Sequence, residues 1–293
     1  MADTVAASGQ GTRRSRRRGL LWHARRNPSM TLGLAILALV ILGTVFASRL
    51  THYDPILIDP LARLKPPSAA HALGTDVVGR DLWSRTIYGG RISLLIGITV
   101  ALLTTSIGLL IGLVSGYNRT ADAILMRIMD GLMSIPAILL AIAFMAFMPA
   151  SIITVVAAIS IVEIPRVVRL VRGVVLSIRE QAYIEAAVIS GSRVGRILIR
   201  HILPNTLAPL SVQATYVCAA AILFESLLSF LGAGTPPEIP SWGNIMAEGR
   251  TYFVLAPWII LAPGFMLSLT VLAINLLGDS LRDLLDPRFA RRL

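Results

Sequence analysis

The sequence predicts an all-α polytopic membrane protein built on six spanning helices. Three observations carry this. The 293 residues are 55% hydrophobic and only 15% charged, far from the balance of an ordinary water-soluble domain. Apolar runs long enough to cross a bilayer, which takes roughly 20 residues, recur along the chain. The runs are continuous rather than alternating, which argues against a membrane β-barrel.

Residues 1–28 are polar and arginine-rich (GTRRSRRRG, then ARRNP) and read as a basic cytoplasmic tail that holds the N-terminus inside and meets anionic headgroups. The first span covers about residues 30–48; no small-residue cleavage site follows it, so it reads as a retained span rather than a signal peptide. Residues 49–90 form an outer segment punctuated by Pro and Gly, in which Asp76, Arg80, Asp81 and Arg85 are expected to pair and Gly74 to supply a tight turn. The second span, 92–115, carries Gly97, Gly108, Gly112 and Gly116, largely at the four-residue spacing that lets helices approach closely in lipid. The third helix, 121–148, has Arg127 and Asp130 three apart, expected to pair near its inner end, and Pro136, expected to kink it.

The fourth span, 151–162, is short, but its helix is expected to continue through IPRVVRLVRG, where Arg166, Arg169 and Arg172 make a basic stripe facing the inside. The fifth span, 208–230, contains Glu225, an acid costly to bury unless paired, protonated or close to water, which either faces the transport path or pins the outer loops. A second outer loop, 232–256, holds SWGNIMAEGRTYF, read as a short helix along the interface or a constriction at the outer mouth. Trp242, Tyr252 and Trp258 are read as interfacial anchors. The sixth span, 257–277, leads into a basic end in which Asp279 and Arg282 are expected to pair. Six spans place both termini inside. The chain thus divides into an N-terminal tail (1–28), a first span with its outer segment (29–90), a core of five spans (91–288) enclosing a polar loop (177–205), and a C-terminal tail (289–293).

Composition also excludes functions. The net charge of +11 clusters beside the spans, as topology requires, and does not indicate nucleic acid. Lys65, the single lysine, lies in Leu-Lys-Pro, so the chain has no Gly-Lys-Ser/Thr phosphate loop and is not its own P-loop ATPase. Cys218 stands alone in an apolar span and forms no intrachain disulfide. His23, His52, His71 and His201 show no metal-ligand spacing. There is no HExxH and no Cys–His arrangement, which argues against an intramembrane enzyme; no catalytic residue and no metal ligand is assigned.

The longest polar interruption within the spans is YIEAAVISGSRVGRILIRHILPN, residues 183–205, with Arg193, Arg196 and Arg200 marking it as cytoplasmic. It reads as two short helices. Ile184, Ala187 and Val188 give the first a sticky face. Gly191 closes that helix in the left-handed conformation and Ser192 caps the next. Pro204 ends or kinks the second near Leu203, and Asn205 or Thr206 caps the span that follows.

Glu185-Ala186-Ala187, then Gly191, then Leu203-Pro204, resembles the EAA–G–LP loop of binding-protein-dependent ABC importer permeases. HALGTDVVGRDLWSRTIYGGRISLL resembles the outer signature of the C-type subunit of dipeptide and oligopeptide systems, with Ala72 where Pro is usual. His201 stands where many families have Ile, as in the peptide branch. The ending PG–LTVL–NLLGD–LRD–LDPR matches too, so the resemblance covers about residues 30–288.

The resemblance implies a type I ABC importer permease fold with a cytoplasmic coupling helix. Tyr183, Glu185, Ala186, Ala187, Gly191, Arg196, His201, Leu203 and Pro204 would dock an ATPase. Gly74, Asp76, Arg80, Asp81, Arg85 and Trp242 are candidates for contact with a binding protein, and Asp130, Pro136 and Glu225 for path or structural roles. It further implies a paralogous permease partner, two ATPase subunits that bind the ATP and magnesium, an extracytoplasmic substrate-binding protein, and a place in the prokaryotic inner membrane. This chain would hold no cofactor. Dipeptides or oligopeptides are the expected cargo, with nickel and glutathione as alternatives within the family. A different class, an ion- or proton-coupled transporter, would use Asp130 and Glu225 as relays, but would leave the loop unexplained.

Overall fold

A computed structural model describes residues 28–285. The basic N-terminal tail, the LDPR ending and the C-terminal tail lie wholly or partly outside them. The chain order is α1 (Pro28–Val45), α2 (Ala47–Leu50), α3 (Leu82–Tyr117), α4 (Arg119–Ser134), α5 (Ala137–Ala146), α6 (Ile152–Arg179), α7 (Ala182–Ile189), α8 (Val194–Ile197), α9 (Leu203–Phe230), α10 (Trp242–Gly249) and α11 (Trp258–Leu285). Among the described residues the only β-type pairing is one isolated bridge between Thr75 and Asp81.

Four helical runs among the described residues are long and apolar enough to cross a membrane: Pro28–Val45, Leu82–Tyr117, Val194–Phe230 and Trp258–Leu285. The bent pair α4–α5 makes a fifth. A sixth crossing has to be α6, whose first 18 residues already hold Glu163, Arg166 and Arg169. Six is therefore a count that apolarity alone does not reach.

The second helix starts ten residues earlier than the apolar run suggests. Asp81 caps it by accepting from the Ser84 N–H (2.8 Å), so residues 82–90, read from sequence as outer loop, form its first turns. At 36 residues α3 is about 54 Å long and is the axis of the bundle. It lies along α6 in a seam of small against branched residues. A Cβ added to Gly108, Gly112 or Gly116 would lie 2.6 Å from Val167, Val171 or Val175 respectively. Gly97 makes the same close approach to Ile222 of α9. The four-residue glycine spacing is therefore matched by a four-residue valine spacing on the partner. α1 packs on α11 at Gly33, where an added Cβ would lie 3.0 Å from the Ala273 carbonyl, and leaves Leu32, Leu34, Leu39 and Leu42 exposed on its outer face.

At Pro136 the expected kink is a break of 91° between α4 and α5. Ile135 is extended (φ −91°, ψ 133°), as the residue before a proline prefers. The expected Arg127–Asp130 pair is not what forms: Asp130 accepts from Arg169 of α6 at 2.6 Å. Likewise Asp279 takes the Tyr216 hydroxyl rather than Arg282. In both cases a neighbouring helix presents its polar group more directly than the same helix one turn away.

Candidate functional site

The polar loop folds as two short helices with a defined break. α7 ends at Ile189, and the chain turns off its axis at Gly191, which has φ +73°. The Gly191 N–H donates to the Val188 carbonyl (2.9 Å) and the Ser192 N–H to the Ala187 carbonyl (3.1 Å). This is a Schellman closure, and it satisfies carbonyls that the helix end would otherwise leave open. The cap of α8 is Arg193, without a side-chain bond, rather than Ser192.

After α8 the chain makes a π-turn over Leu198–Ile202 and continues into α9 without stopping. Pro204 therefore does not end the helix. It sits at the start of α9, where the missing N–H costs least. The side chains of Asn205 and Thr206 turn back to the carbonyls of His201 (2.6 Å) and Leu203 (2.8 Å) and cap nothing.

Ile184, Ile197 and Ile202 are buried and anchor this element to the bundle. Val188, expected on the buried face, is exposed. Tyr183, Glu185, Ala186, Gly191, Arg196 and Pro204 also point away from the bundle; Ala187, His201 and Leu203 are half-buried. His201 and Tyr183 lie ring to ring at 6.3 Å, so the π-turn and α7 lean on each other. Arg179 donates to the Tyr117 carbonyl (3.0 Å), tying the end of α6 to the end of α3 just before α7 begins. The element thus sits at the C-terminal end of α3.

The basic stripe of α6 is an ion-pair ladder. Arg166 reaches Glu163 (3.1 Å), Arg169 reaches Asp130, and Arg172 holds Asp122 through two bonds, one of 2.7 Å. The last two rungs fix α4 against α6.

The N-terminal end of α3 carries the second cluster. Asp76 is fully buried; its Oδ2 accepts from Arg80 Nε (2.6 Å) and from Arg85, and its Oδ1 accepts from the N–H groups of Val78 and Arg80 (2.9 Å each). Arg85, also buried, donates to Glu248 of α10 (Nη2 to Oε1, 2.9 Å), and Arg80 donates to the same carboxylate (2.6 Å). Two guanidiniums and two carboxylates balance. Asp81 is drawn elsewhere: besides capping α3, it accepts from His71 (2.9 Å). Gly74 has φ +79°, and an added Cβ would lie 2.6 Å from the Lys65 carbonyl.

Glu248 is the residue that sequence reasoning missed. The one available signal was charge balance, since Asp76 alone cannot neutralise both Arg80 and Arg85. Trp242 is not an interfacial anchor. It is fully buried, and its Nε1 donates to the Thr86 carbonyl (2.9 Å), which satisfies the indole inside the fold. Glu225 is fully buried on α9 and accepts from Ser229 (3.0 Å), Ser93 (3.2 Å) and Ser226 (3.4 Å).

Comparison with known proteins places this geometry. Residues 105–291 match the family described as "Binding-protein-dependent transport system inner membrane component". The chain is 51% identical over 269 residues, 92% of each chain, to a protein of Sinorhizobium fredii named "Probable peptide ABC transporter permease protein". It is 42% identical over 265 residues to a dipeptide transport system permease protein of Alkalihalophilus pseudofirmus, covering 90% of this chain and 87% of that one. An oligopeptide transport system permease protein of Bacillus subtilis is 36% identical over 269 residues, covering 91% and 88%. Among solved structures, a chain of the MetNI methionine ABC transporter in inward-facing conformations superposes with a TM-score of 0.59. The identity is 19%, and the match covers 69% of this chain and 96% of that one; at that identity the likeness is one of fold.

Proposed function

The chain belongs to the family of binding-protein-dependent transport system inner membrane components, and we infer that it is one transmembrane half of an ATP-driven importer of dipeptides or oligopeptides. The observation that carries this reading is the helical element at the inner end of the bundle. α7 is closed by Gly191, held from behind by Ile184, Ile197 and Ile202, and offers an outward face to a soluble partner. The closure and the anchors hold that face in a fixed place at the end of the bundle. The peptide cargo is supported by the names of the relatives.

On this reading a paralogous permease completes the path, two cytoplasmic ATPases bind ATP and magnesium, and a binding protein delivers cargo from outside. The arginines of the stripe and of the 183–205 element put that end inside, and with six crossings both termini are cytoplasmic. ATP-driven closure of the ATPases moves α7, and the spans exchange inward- and outward-open states. The chain makes and breaks no bonds. A proton-coupled carrier would need Asp130 and Glu225 as relays, yet Asp130 is held by Arg169 and Glu225 is enclosed by hydroxyls.

The test is affinity purification of the chain from its native membrane in mild detergent, with every co-purifying chain identified, alongside uptake of labelled di- and tripeptides. A second permease and P-loop ATPases should co-purify and be lost with Glu185→Arg. A chain that purifies alone and transports in liposomes without ATP would overturn the reading.

A further inference from the structure

α1 leans on different helices at its two ends. Near its start Gly33 packs on α11, where an added Cβ would lie 3.0 Å from the Ala273 carbonyl and from Leu276 Cβ. Near its end Thr44 packs on Gly90 of α3. There Arg91 of α3 donates from Nε to the Thr44 carbonyl (2.6 Å) and from Nη2 to the Val45 carbonyl (2.9 Å). Between these contacts α1 and α3 part, and a groove of about 260 Å³ opens over α9 and α11. Leu37 and Ile41 form one wall and Leu94, Ile98 and Leu102 the other, with Cys218 in the floor. Ile41, Ile98 and Leu102 are 39%, 49% and 63% exposed, so the groove is open along its side. The hydroxyl of Thr215, also in the floor, is spent on the Val212 carbonyl (2.8 Å), and the exposed lining is apolar throughout.

Depth and size decide what fits. From Arg91 to Leu102 is about 16 Å of helix at 1.5 Å per residue, and half of a 30 Å hydrocarbon core is about 15 Å. The groove therefore runs the depth of one leaflet beneath Arg91. Water finds no polar partner there. A helix, 10–12 Å across, would need roughly 1,000 Å³ over this depth, far more than the groove holds. A single acyl chain meets both limits. At the mouth Arg91 is exposed and stacked on Tyr88, 4.7 Å from the ring centre. Among the described residues its guanidinium bonds only the two α1 carbonyls, through Nε and Nη2. Asp54, which lines the same outer recess as Arg91, accepts from the Ile56 N–H (2.9 Å) and makes no ion pair with it. The Arg91 charge is thus open to an anion at headgroup level.

We propose that this groove binds one acyl chain of a phospholipid whose phosphate is held by Arg91. The lipid comes from the leaflet at the N-terminal end of α3, the outer one in the orientation given above. Its chain fills the gap between α1 and α3 and seats α1 on the bundle between its two end contacts. The site depends on the helices spanning a membrane and not on the importer reading.

The test uses native membranes holding the full chain with its partners, and phosphatidylglycerol carrying a photoactivatable diazirine in its acyl chain. Cross-linked peptides should map to the groove walls and to the segment around Cys218 in preference to Leu32, Leu39 and Leu42 on the outer face of α1. Arg91→Gln should lower the groove yield roughly tenfold, the scale of one hydrogen bond to a charged group, and leave labelling of the outer face unchanged. Arg91→Lys, which keeps the charge, should retain most of the yield. Ala214→Phe, which fills the floor, should abolish groove labelling alone. Unlabelled phosphatidylglycerol should displace the probe, diacylglycerol much less, and inorganic phosphate not at all. A groove yield equal to that of the outer face, or indifferent to Arg91→Gln and Ala214→Phe, would overturn the proposal, since lipid then merely surrounds the chain. A silent groove beside a labelled outer face would overturn it too, and would point to a partner helix lying over the opening. Equal competition by diacylglycerol would overturn the assignment of the phosphate to Arg91. If the variants failed to insert, the parent's cross-link map and the competition series would still decide the matter.

Discussion

Arg85 and Glu248 are 163 residues apart in the chain and meet where the head of α3 touches the end of α10, Arg85 buried and Glu248 largely so. Each has one other partner there, and that partner is shared. Arg85 without Glu248 shares Asp76 with Arg80; Glu248 without Arg85 keeps only Arg80.

Removing one side of this pair should therefore be costly. Glu248→Ala is expected to lower the stability of the purified complex by about 3 kcal/mol, the usual scale for stranding one partner of a buried ion pair. A thermal-unfolding series that includes Arg85→Lys checks it. Lysine keeps the charge but loses the two-pronged grip, so its loss should be smaller than that of Arg85→Ala.

Gly191 gives a prediction that separates conformation from space. An added Cβ meets nothing within 4 Å, yet φ is +73°. Gly191→Asn, which tolerates this conformation, should keep most uptake. Gly191→Leu should lose most of it and leave ATP hydrolysis uncoupled, because a strained left-handed residue costs about 1–2 kcal/mol and the side chain projects from the docking face. Both variants should insert normally. Equal uptake by the two would argue against the docking role.

The seam between α3 and α6 makes the opposite case. Gly112→Val drives a branched side chain into Val171, which an added Cβ alone would approach to 2.6 Å. Overpacking of this kind costs about 1–3 kcal/mol or more. Gly43→Val, on the open face of α1 where nothing lies within 4 Å, should be neutral by comparison. Expression level and melting temperature of the two variants decide this.

The ladder between α6 and α4 should matter much less. Arg169 and Asp130 are both roughly half exposed, and pairs of that kind contribute about 0–1 kcal/mol. Arg169→Ala is expected to change the melting temperature only slightly, and raised salt should reduce even that difference.

Much of this was legible in the sequence, for reasons that also explain what was not. Continuous apolarity located four long helices and the α4–α5 pair but not α6, and Pro136 located the bend, though as a kink rather than a break of 91°. The left-handed turn at Gly191 was readable because few residues other than glycine adopt it. What failed were the choices among local alternatives. Ser192, Asn205 and Thr206 are all good caps, and whether a helix stops at them depends on whether the next turn has somewhere to pack. The π-turn before Pro204 let α9 continue, so no cap was needed. Trp242 looked interfacial because tryptophan usually is, and it is buried because Thr86 offers its indole a carbonyl. The charges of the rim were visible as a set, but no local pattern links Glu248 to a helix that begins at residue 82.

The three glycines of α3 that face α6, Gly108, Gly112 and Gly116, have a consequence for how such a chain can change over time. Each is fitted to one valine, so a larger residue at a glycine is tolerated only if its valine shrinks at the same moment, and a larger residue at the valine has no side chain opposite it that could give way. Single substitutions along this line meet a barrier that paired ones avoid. The seam is thus a slow clock within the chain, while the exposed outer face of α1 is free to drift with the lipid it meets.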